Sequence, residues 1–301
     1  MTYQSSTIGR AKRPMRVRAW IRRGAVAVPA LAAALAFVAP ASASTSSAAA
    51  PGHAASPSWA AHVLPLNAMP VGTVAFGRDR RGRLTVAVEM YGLTPGSAHR
   101  VNLISAHRYY VIRFGTLTAN SVGQARATLT SSYTGPWPLG MRLVIHMGAG
   151  HGSVARQRIA QTGVLRRFTT QPHLLTSVEY SYTGVSYGTP RGVATISYNS
   201  RRKTLTVTVN ASGVTPGLHA AHIHIGSCMS QGPVKYMLKD LPANSQGKIV
   251  DAVRVFTNVT TPIPASGWYL NIHQGNSNQI LSNGSPTIYF RPLLCANISG
   301  S

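Results

Sequence analysis

An internal repeat constrains the fold of this chain more than any other feature. Three pairs of segments match in the same order along the chain: residues 84–96 with 205–217, 117–123 with 241–247, and 143–148 with 270–275. Self-similarity at a long, nearly constant spacing is typical of repeated structural units. Each copy spans about 100 residues, the usual size of a domain. The sequence therefore predicts two domains of one architecture.

The matching segments alternate between apolar and polar residues. In the second copy Leu205, Val207 and Val209 alternate with polar side chains, and Pro-Gly and Asn-Ser pairs follow as turn signals. This period of two indicates half-buried antiparallel strands. We expect an all-β protein of two tandem antiparallel Greek-key β-sandwich domains, at residues 69–170 and 180–301.

The N-terminal segment has the parts of an export signal. Basic residues precede an apolar run and an Ala-Ser-Ala sequence that ends at Ala43. This pattern predicts a signal peptide over residues 1–43, followed by an Ala-, Ser- and Pro-rich linker over residues 44–68. Twin-arginine export, suggested by Arg22-Arg23, and an uncleaved membrane anchor are the alternatives. The apolar run is shorter than the ~20 residues that span a bilayer. We therefore expect a secreted or cell-wall-associated protein with no membrane span after cleavage.

The chain is strongly basic, with 29 Lys and Arg residues against 5 Asp and Glu. Such a balance favours anionic partners. Superoxide or another small anion and acidic cell-wall polymers are the candidates, and a solvated face that keeps the protein soluble is the alternative. Specific nucleic-acid binding is not expected, because the basic residues are scattered and no aromatic-rich RNA-binding motif is present.

A His-x-His sequence in the second copy predicts a metal site. His222 and His224 lie two residues apart, so on a strand both side chains project from the same face. His273, in another strand-like segment, is the third candidate ligand. Three histidines and a water molecule also form a zinc pattern. The alternative is a set of hydrogen-bonded strand histidines without a metal.

The first copy lacks the ligand pair. When His99 is aligned with His219, the His-x-His positions correspond to Asn102 and Ile104 in the first copy. The first copy keeps only the third histidine, as His146. We therefore expect any metal to lie in the second domain, and a structural or adhesive role for the first.

The two cysteines of the chain, Cys228 and Cys295, both lie in the second copy. In an exported protein two cysteines point to one disulfide. Two free buried thiols, or a zinc site of two cysteines and two histidines, are the alternatives.

The second copy resembles two related families. The segments that carry the resemblance are GLHAAHIHIG at residues 217–226, Cys228, Gly232-Pro233, NIH at residues 271–273 and RPLLCANISG at residues 291–300. They are similar to the secreted Cu/Zn superoxide dismutase fold and to chordin-type (CHRD) domains. The resemblance covers most of the second domain and, more weakly, the first.

The resemblance to the dismutases implies a copper site. In that family the His-x-His pair and a later strand histidine bind copper, which implies that His222, His224 and His273 are copper ligands here. An imidazole set of this kind suits both oxidation states of copper. The family's disulfide implies that Cys228 is bonded to Cys295.

Two positions depart from the dismutase pattern. Arg291 is the nearest match to the catalytic arginine that guides superoxide to copper, but it lies one residue further from the last cysteine. Val234 stands where the family has the histidine that bridges copper and zinc, so a second, zinc site is not expected. We expect an exported copper-binding dismutase-like protein with weak dismutation at a mononuclear three-histidine site. The alternative is a non-enzymatic CHRD-like tandem β-sandwich that binds an extracellular or cell-wall partner.

Overall fold

The computed structural model describes residues 61–106, 110–167, 171–180 and 186–299. The predicted signal peptide and residues 44–60 of the predicted linker lie outside these ranges. No helix in the described ranges has the length and apolar character needed to cross a membrane.

Strands make up nearly all of the regular structure in these ranges. The strands before residue 178 are β1 (His62–Ala68), β2 (Val71–Arg78), β3 (Leu84–Tyr91), β4 (Ala98–Ser105), β5 (Val111–Thr118), β6 (Ala125–Thr130), β7 (Met141–His146), β8 (Arg158–Gln161) and β9 (His173–Ser177). The strands after residue 178 are β10 (Glu179–Tyr180), β11 (Ser186–Gly188), β12 (Arg191–Asn199), β13 (Thr204–Ser212), β14 (Gly217–Ile225), β15 (Val234–Ala243), β16 (Lys248–Phe256), β17 (Trp268–His273), β18 (Leu281–Ser282), β19 (Ser285–Pro286) and β20 (Pro292–Ile298). A 3-10 helix covers Ile288–Phe290.

Most of these strands form two eight-stranded antiparallel sheets. The strand order is β5-β4-β7-β8-β9-β2-β3-β6 in the first sheet and β15-β14-β17-β20-β1-β12-β13-β16 in the second. The two end strands of each order lie close together, so each sheet is nearly closed around its own core. The prediction of an all-β protein with tandem β-sandwich domains is confirmed.

The alternation in the sequence builds the two cores. Leu84 and Val86 of β3, and Leu205, Val207 and Val209 of β13, are all fully buried, while the residues between them face away from the core. Successive side chains of a strand point to opposite faces of its sheet. Burying a side chain of this size stabilises the fold by about 1.5–3 kcal/mol. The period of two therefore decides which face of each strand becomes the core.

Each sheet is completed by a strand from outside its own repeat. β1 precedes the first repeat in sequence, but it pairs with β12 and β20 of the second sheet. β9 follows the first repeat and pairs with β2 and β8 of the first sheet. Residues 62–68 thus form a strand within the segment for which the sequence predicts a linker, and residues 173–177 extend the first sheet beyond residue 170. Pairing of this kind depends on residues far apart in the chain, which local patterns do not contain.

Candidate metal centre

Three histidines of the second sheet meet at one place. β14 carries His222 and His224, and its antiparallel neighbour β17 ends at His273. One candidate ligand nitrogen from each ring lies within 4.8 Å of the others. All three side chains are buried. The structure thus brings together the three residues that the sequence predicts as ligands, and we call them the histidine cluster.

Backbone carbonyl groups orient two of the three rings. Nδ1 of His224 lies 2.8 Å from the carbonyl oxygen of Gly232, and Nδ1 of His273 lies 2.6 Å from that of Phe290. A carbonyl oxygen only accepts hydrogen bonds, so each Nδ1 carries a proton and donates it. The Nε2 atoms of both rings then carry lone pairs. Bonds of this kind commonly set the tautomer and orientation of metal-ligating histidines.

The cluster contains a buried acceptor that no protein group satisfies. Nε2 of His224 is buried and has no hydrogen-bond partner among the described residues. Nε2 of His273 lies 3.2 Å from Nδ1 of His222. Leaving a buried acceptor unsatisfied costs about 1–3 kcal/mol. A cation among the three nitrogens would remove this cost, so the residues present fit a single metal ion.

Burial keeps the three imidazoles neutral. It lowers the pKa of His222 to about 4 and that of His273 to about 3. Burial also lowers the pKa of His224. Only the neutral form of imidazole has a lone pair for a metal. All three rings are therefore in the ligand form at neutral pH.

A disulfide and a tyrosine support the loop that follows β14. The bond between Cys228 and Cys295 ties this loop to β20. Tyr269 stacks on the ring of His224 with centroids 4.9 Å apart, and its hydroxyl oxygen accepts a hydrogen bond from the Gly232 N–H. The loop supplies the carbonyl that orients His224. The disulfide thus supports the cluster without providing a ligand.

The first sheet repeats this frame without the ligand pair. Nδ1 of His146 lies 2.8 Å from the carbonyl oxygen of Arg156, in the same way that His273 contacts a carbonyl. Nε2 of His146 lies 3.0 Å from the side-chain amide of Asn102, which occupies the position of His222. The amide donates to Nε2 and satisfies its lone pair. The first repeat therefore keeps the orientation of one histidine but offers no place for a cation beside it.

Arg291 does not join the histidine cluster. The residue is 2% exposed, and its guanidinium forms an ion pair with Glu179 and a hydrogen bond with the side chain of Gln274. Glu179 is itself fully buried. The positive charge of Arg291 is therefore neutralised inside the protein. The sequence does not reveal this pair, because the two residues lie 112 positions apart.

Val234 lies opposite His224 across β14 and β15. Its side chain is exposed and provides no ligand atom. The position next to the cluster that the dismutases use for a bridging ligand is therefore apolar.

The histidine cluster is the one group of three or more His, Cys, Asp or Glu side chains placed to hold a metal in the described part of residues 61–299.

Sequence reasoning missed the carbonyl groups of Gly232 and Phe290. Every residue has a backbone carbonyl, so the chain carries no side-chain signature of the two that orient the rings. The available signal was the Gly232-Pro233 pair, which forms part of the family resemblance. Its role becomes visible only when the loop is seen against His224.

The CHRD domain family model matches residues 174–279 of the chain. The matched range contains all three residues of the histidine cluster. The match supports the resemblance to CHRD domains and not the resemblance to Cu/Zn superoxide dismutases. No curated protein matches the chain. The CHRD match and the disulfide together indicate an extracellular protein.

Proposed function

We propose that the protein is a non-enzymatic extracellular β module whose second domain holds one copper ion on His222, His224 and His273. The observation that carries the proposal is the unsatisfied lone pair of His224 Nε2, buried beside the two other rings. In the first repeat, by contrast, the lone pair of His146 Nε2 is satisfied by the side-chain amide of Asn102. The CHRD match favours a binding module over an enzyme.

The donor set favours copper among the divalent metals. It consists of three imidazole nitrogens, because both cysteines are used in the disulfide and no carboxylate belongs to the cluster. Imidazole suits copper and zinc better than magnesium or calcium, and copper(II) binds such sites more tightly than zinc. We expect one tightly bound copper ion per chain, with zinc as the weaker competitor.

Three observations favour binding over superoxide dismutation. The rings of the cluster are 0–4% exposed, which restricts the access of a substrate. The charge of Arg291 is neutralised by Glu179, so it is not free to attract an anion. Val234 supplies no bridging imidazole. We therefore propose that the bound ion stabilises the domain or its contact with a partner.

Metal titration of the purified protein tests the proposal. We expect one equivalent of copper(II) with a nitrogen-coordinated electron paramagnetic resonance signal. The double variant H222N/H224I, which installs the residues of the first repeat, should lose this signal. The control variant H151N removes an exposed histidine of the first repeat and should keep it. Absence of copper uptake at micromolar concentrations, or equal uptake by H222N/H224I, would refute the site.

A further inference from the structure

The first sheet carries a group of arginines around the positions that correspond to the histidine cluster. Its members are Arg100 on β4, Arg113 on β5, Arg142 on β7, Arg158 on β8 and Arg156 in the turn before β8. We call this group the arginine face. Arg113 and Arg156 are exposed, and the other three are half-buried.

Strand register places these arginines around Asn102 and His146. Asn102 lies opposite Arg113 across β4 and β5, and His146 lies opposite Arg158 across β7 and β8. Burial lowers the pKa of His146, and the positive charges of Arg100 and Arg158 lower it further. The guanidinium groups of Arg100 and Arg158 therefore both act on this one imidazole. Four neighbouring strands present Arg100, Arg113, Arg142 and Arg158 on one side of the sheet.

The second sheet has no charge at the corresponding positions. Ala220, Met237, Tyr269, Phe290 and Pro292 stand in place of Arg100, Arg113, Arg142, Arg156 and Arg158. The shared fold consequently does not require arginine at any of the five positions. The positive charge belongs to the surface of the first repeat and not to its scaffold.

The carboxylates of the chain are used elsewhere. The five acidic residues are Asp79, Glu89, Glu179, Asp240 and Asp251. Among the described residues, two of them form the ion pairs Arg83–Asp79 and Arg291–Glu179. The other three accept hydrogen bonds from uncharged side chains. None of the described carboxylates forms an ion pair with Arg100, Arg113, Arg142 or Arg156, so their positive potential is available to an external anion.

We propose that the arginine face binds a linear polymer that carries phosphate groups along its backbone, such as an acidic cell-wall polymer. The planar guanidinium group matches phosphate geometry and can bind it in a bidentate manner. The four strands that carry the arginines lie about 4.8 Å apart, and the arginines stand at different heights along them, so a flexible chain of charges can contact several of them. The strand residues between the arginines are Asn102, Ile104, Val144 and the buried His146, so these residues expose no aromatic ring for stacking a nucleobase. The site lies in the first repeat and does not depend on the proposed metal.

Binding of inorganic polyphosphate to the full protein at several salt concentrations tests this proposal. The variant R100Q/R113Q/R142Q removes three charges from the arginine face. The control variant R191Q/R201Q/R202Q removes three charges from exposed positions of the second repeat. The slope of log K against log salt is negative, and each lost phosphate contact reduces its magnitude by roughly 0.7. We expect the first variant to reduce this magnitude by about 2 and to weaken binding at least about tenfold. The control should change little.

Three outcomes would overturn the proposal. Equal losses in both triple variants would mean that net charge alone governs binding. If the triple variant fails to fold, R113Q/R156Q replaces it, because this double variant changes exposed side chains only. Unchanged binding of R113Q/R156Q at all salt concentrations would contradict the site. Displacement of polyphosphate by single-stranded DNA at equal or lower phosphate concentration would identify a nucleic-acid surface instead.

Discussion

Replacing Glu179 with glutamine should destabilise the protein strongly, although the two side chains have nearly the same shape. Glu179 is fully buried and Arg291 is 2% exposed, and the two form an ion pair. The substitution removes the negative charge and leaves the guanidinium buried without a counter-charge. Removing one partner of a buried pair typically costs about 3–5 kcal/mol. Gln274 still accepts a hydrogen bond from Arg291, so we expect a loss of about 3 kcal/mol, near the lower end of that range.

Denaturant unfolding measures this loss, and the chain offers a matched control. Asp79→Asn removes the carboxylate of the other ion pair, Arg83–Asp79, whose side chains are 41% and 23% exposed. Water screens that pair, so its loss should change the unfolding midpoint far less. The double variant E179L/R291M replaces both charges with apolar groups and should recover much of the stability lost in Glu179→Gln.

The result that would refute this reasoning is a Glu179→Gln variant as stable as Asp79→Asn. Such a result would mean that Arg291 is hydrated in solution. Its charge would then be free to attract an anion, as the dismutase resemblance implies. Unfolding of E179Q therefore separates a structural arginine from a substrate-guiding one.

Three further predictions concern the disulfide, the buried histidines and the duplicated frame. Replacing Cys228 and Cys295 with serine opens a loop of 67 residues and should lower the free energy of unfolding by about 4 kcal/mol on the chain-entropy model. The unfolding midpoint of this variant should equal that of the reduced parent protein. A midpoint equal to that of the oxidised parent would contradict the prediction. Burial lowers the pKa of His99 to about 4 in the folded protein, below the unfolded value of 6.5, so its contribution is complete above pH 6.5 and is lost as the pH falls towards 4. That contribution is about 3 kcal/mol. In urea unfolding, a His99→Gln variant should therefore lose correspondingly less stability than the parent protein as the pH falls across this range. An unchanged pH dependence would rule out this role of His99. The variant N102H/I104H should bind a second copper ion, because the third histidine of the first repeat is already oriented by a carbonyl. This second site should be weaker than the first, because the nearby arginines repel a cation, and a metal stoichiometry that stays at one would show that the frame alone does not make a site.

The all-β fold follows from local patterns. The alternation of Leu205, Val207 and Val209 predicts the strand and its buried face, because a strand with one buried side needs a period of two. The internal repeat predicts that this architecture occurs twice. The predicted export favours a disulfide, and Cys228 and Cys295 are the two cysteines of the chain; the structure confirms the bond between them.

The histidine cluster was partly visible in the sequence. The spacing of His222 and His224 places both rings on one face of a strand, whatever the rest of the fold does. The position of His273 came from the family resemblance and the repeat. The carbonyl groups that orient the rings were not visible, because backbone atoms have no sequence signature.

The sequence by itself determined the alternating strands and the pairing of His222 with His224, since these depend on local alternation and short spacing. The comparison of one part of the chain with another determined the duplication. Only the tertiary structure decided which strands complete each sheet: it placed β1 in the second sheet and β9 in the first. It also decided that Arg291 serves a buried ion pair rather than the histidine cluster. The physical reason is the same in both cases. Pairing partners far apart in sequence are selected by the packing of the whole chain, and no local pattern records them.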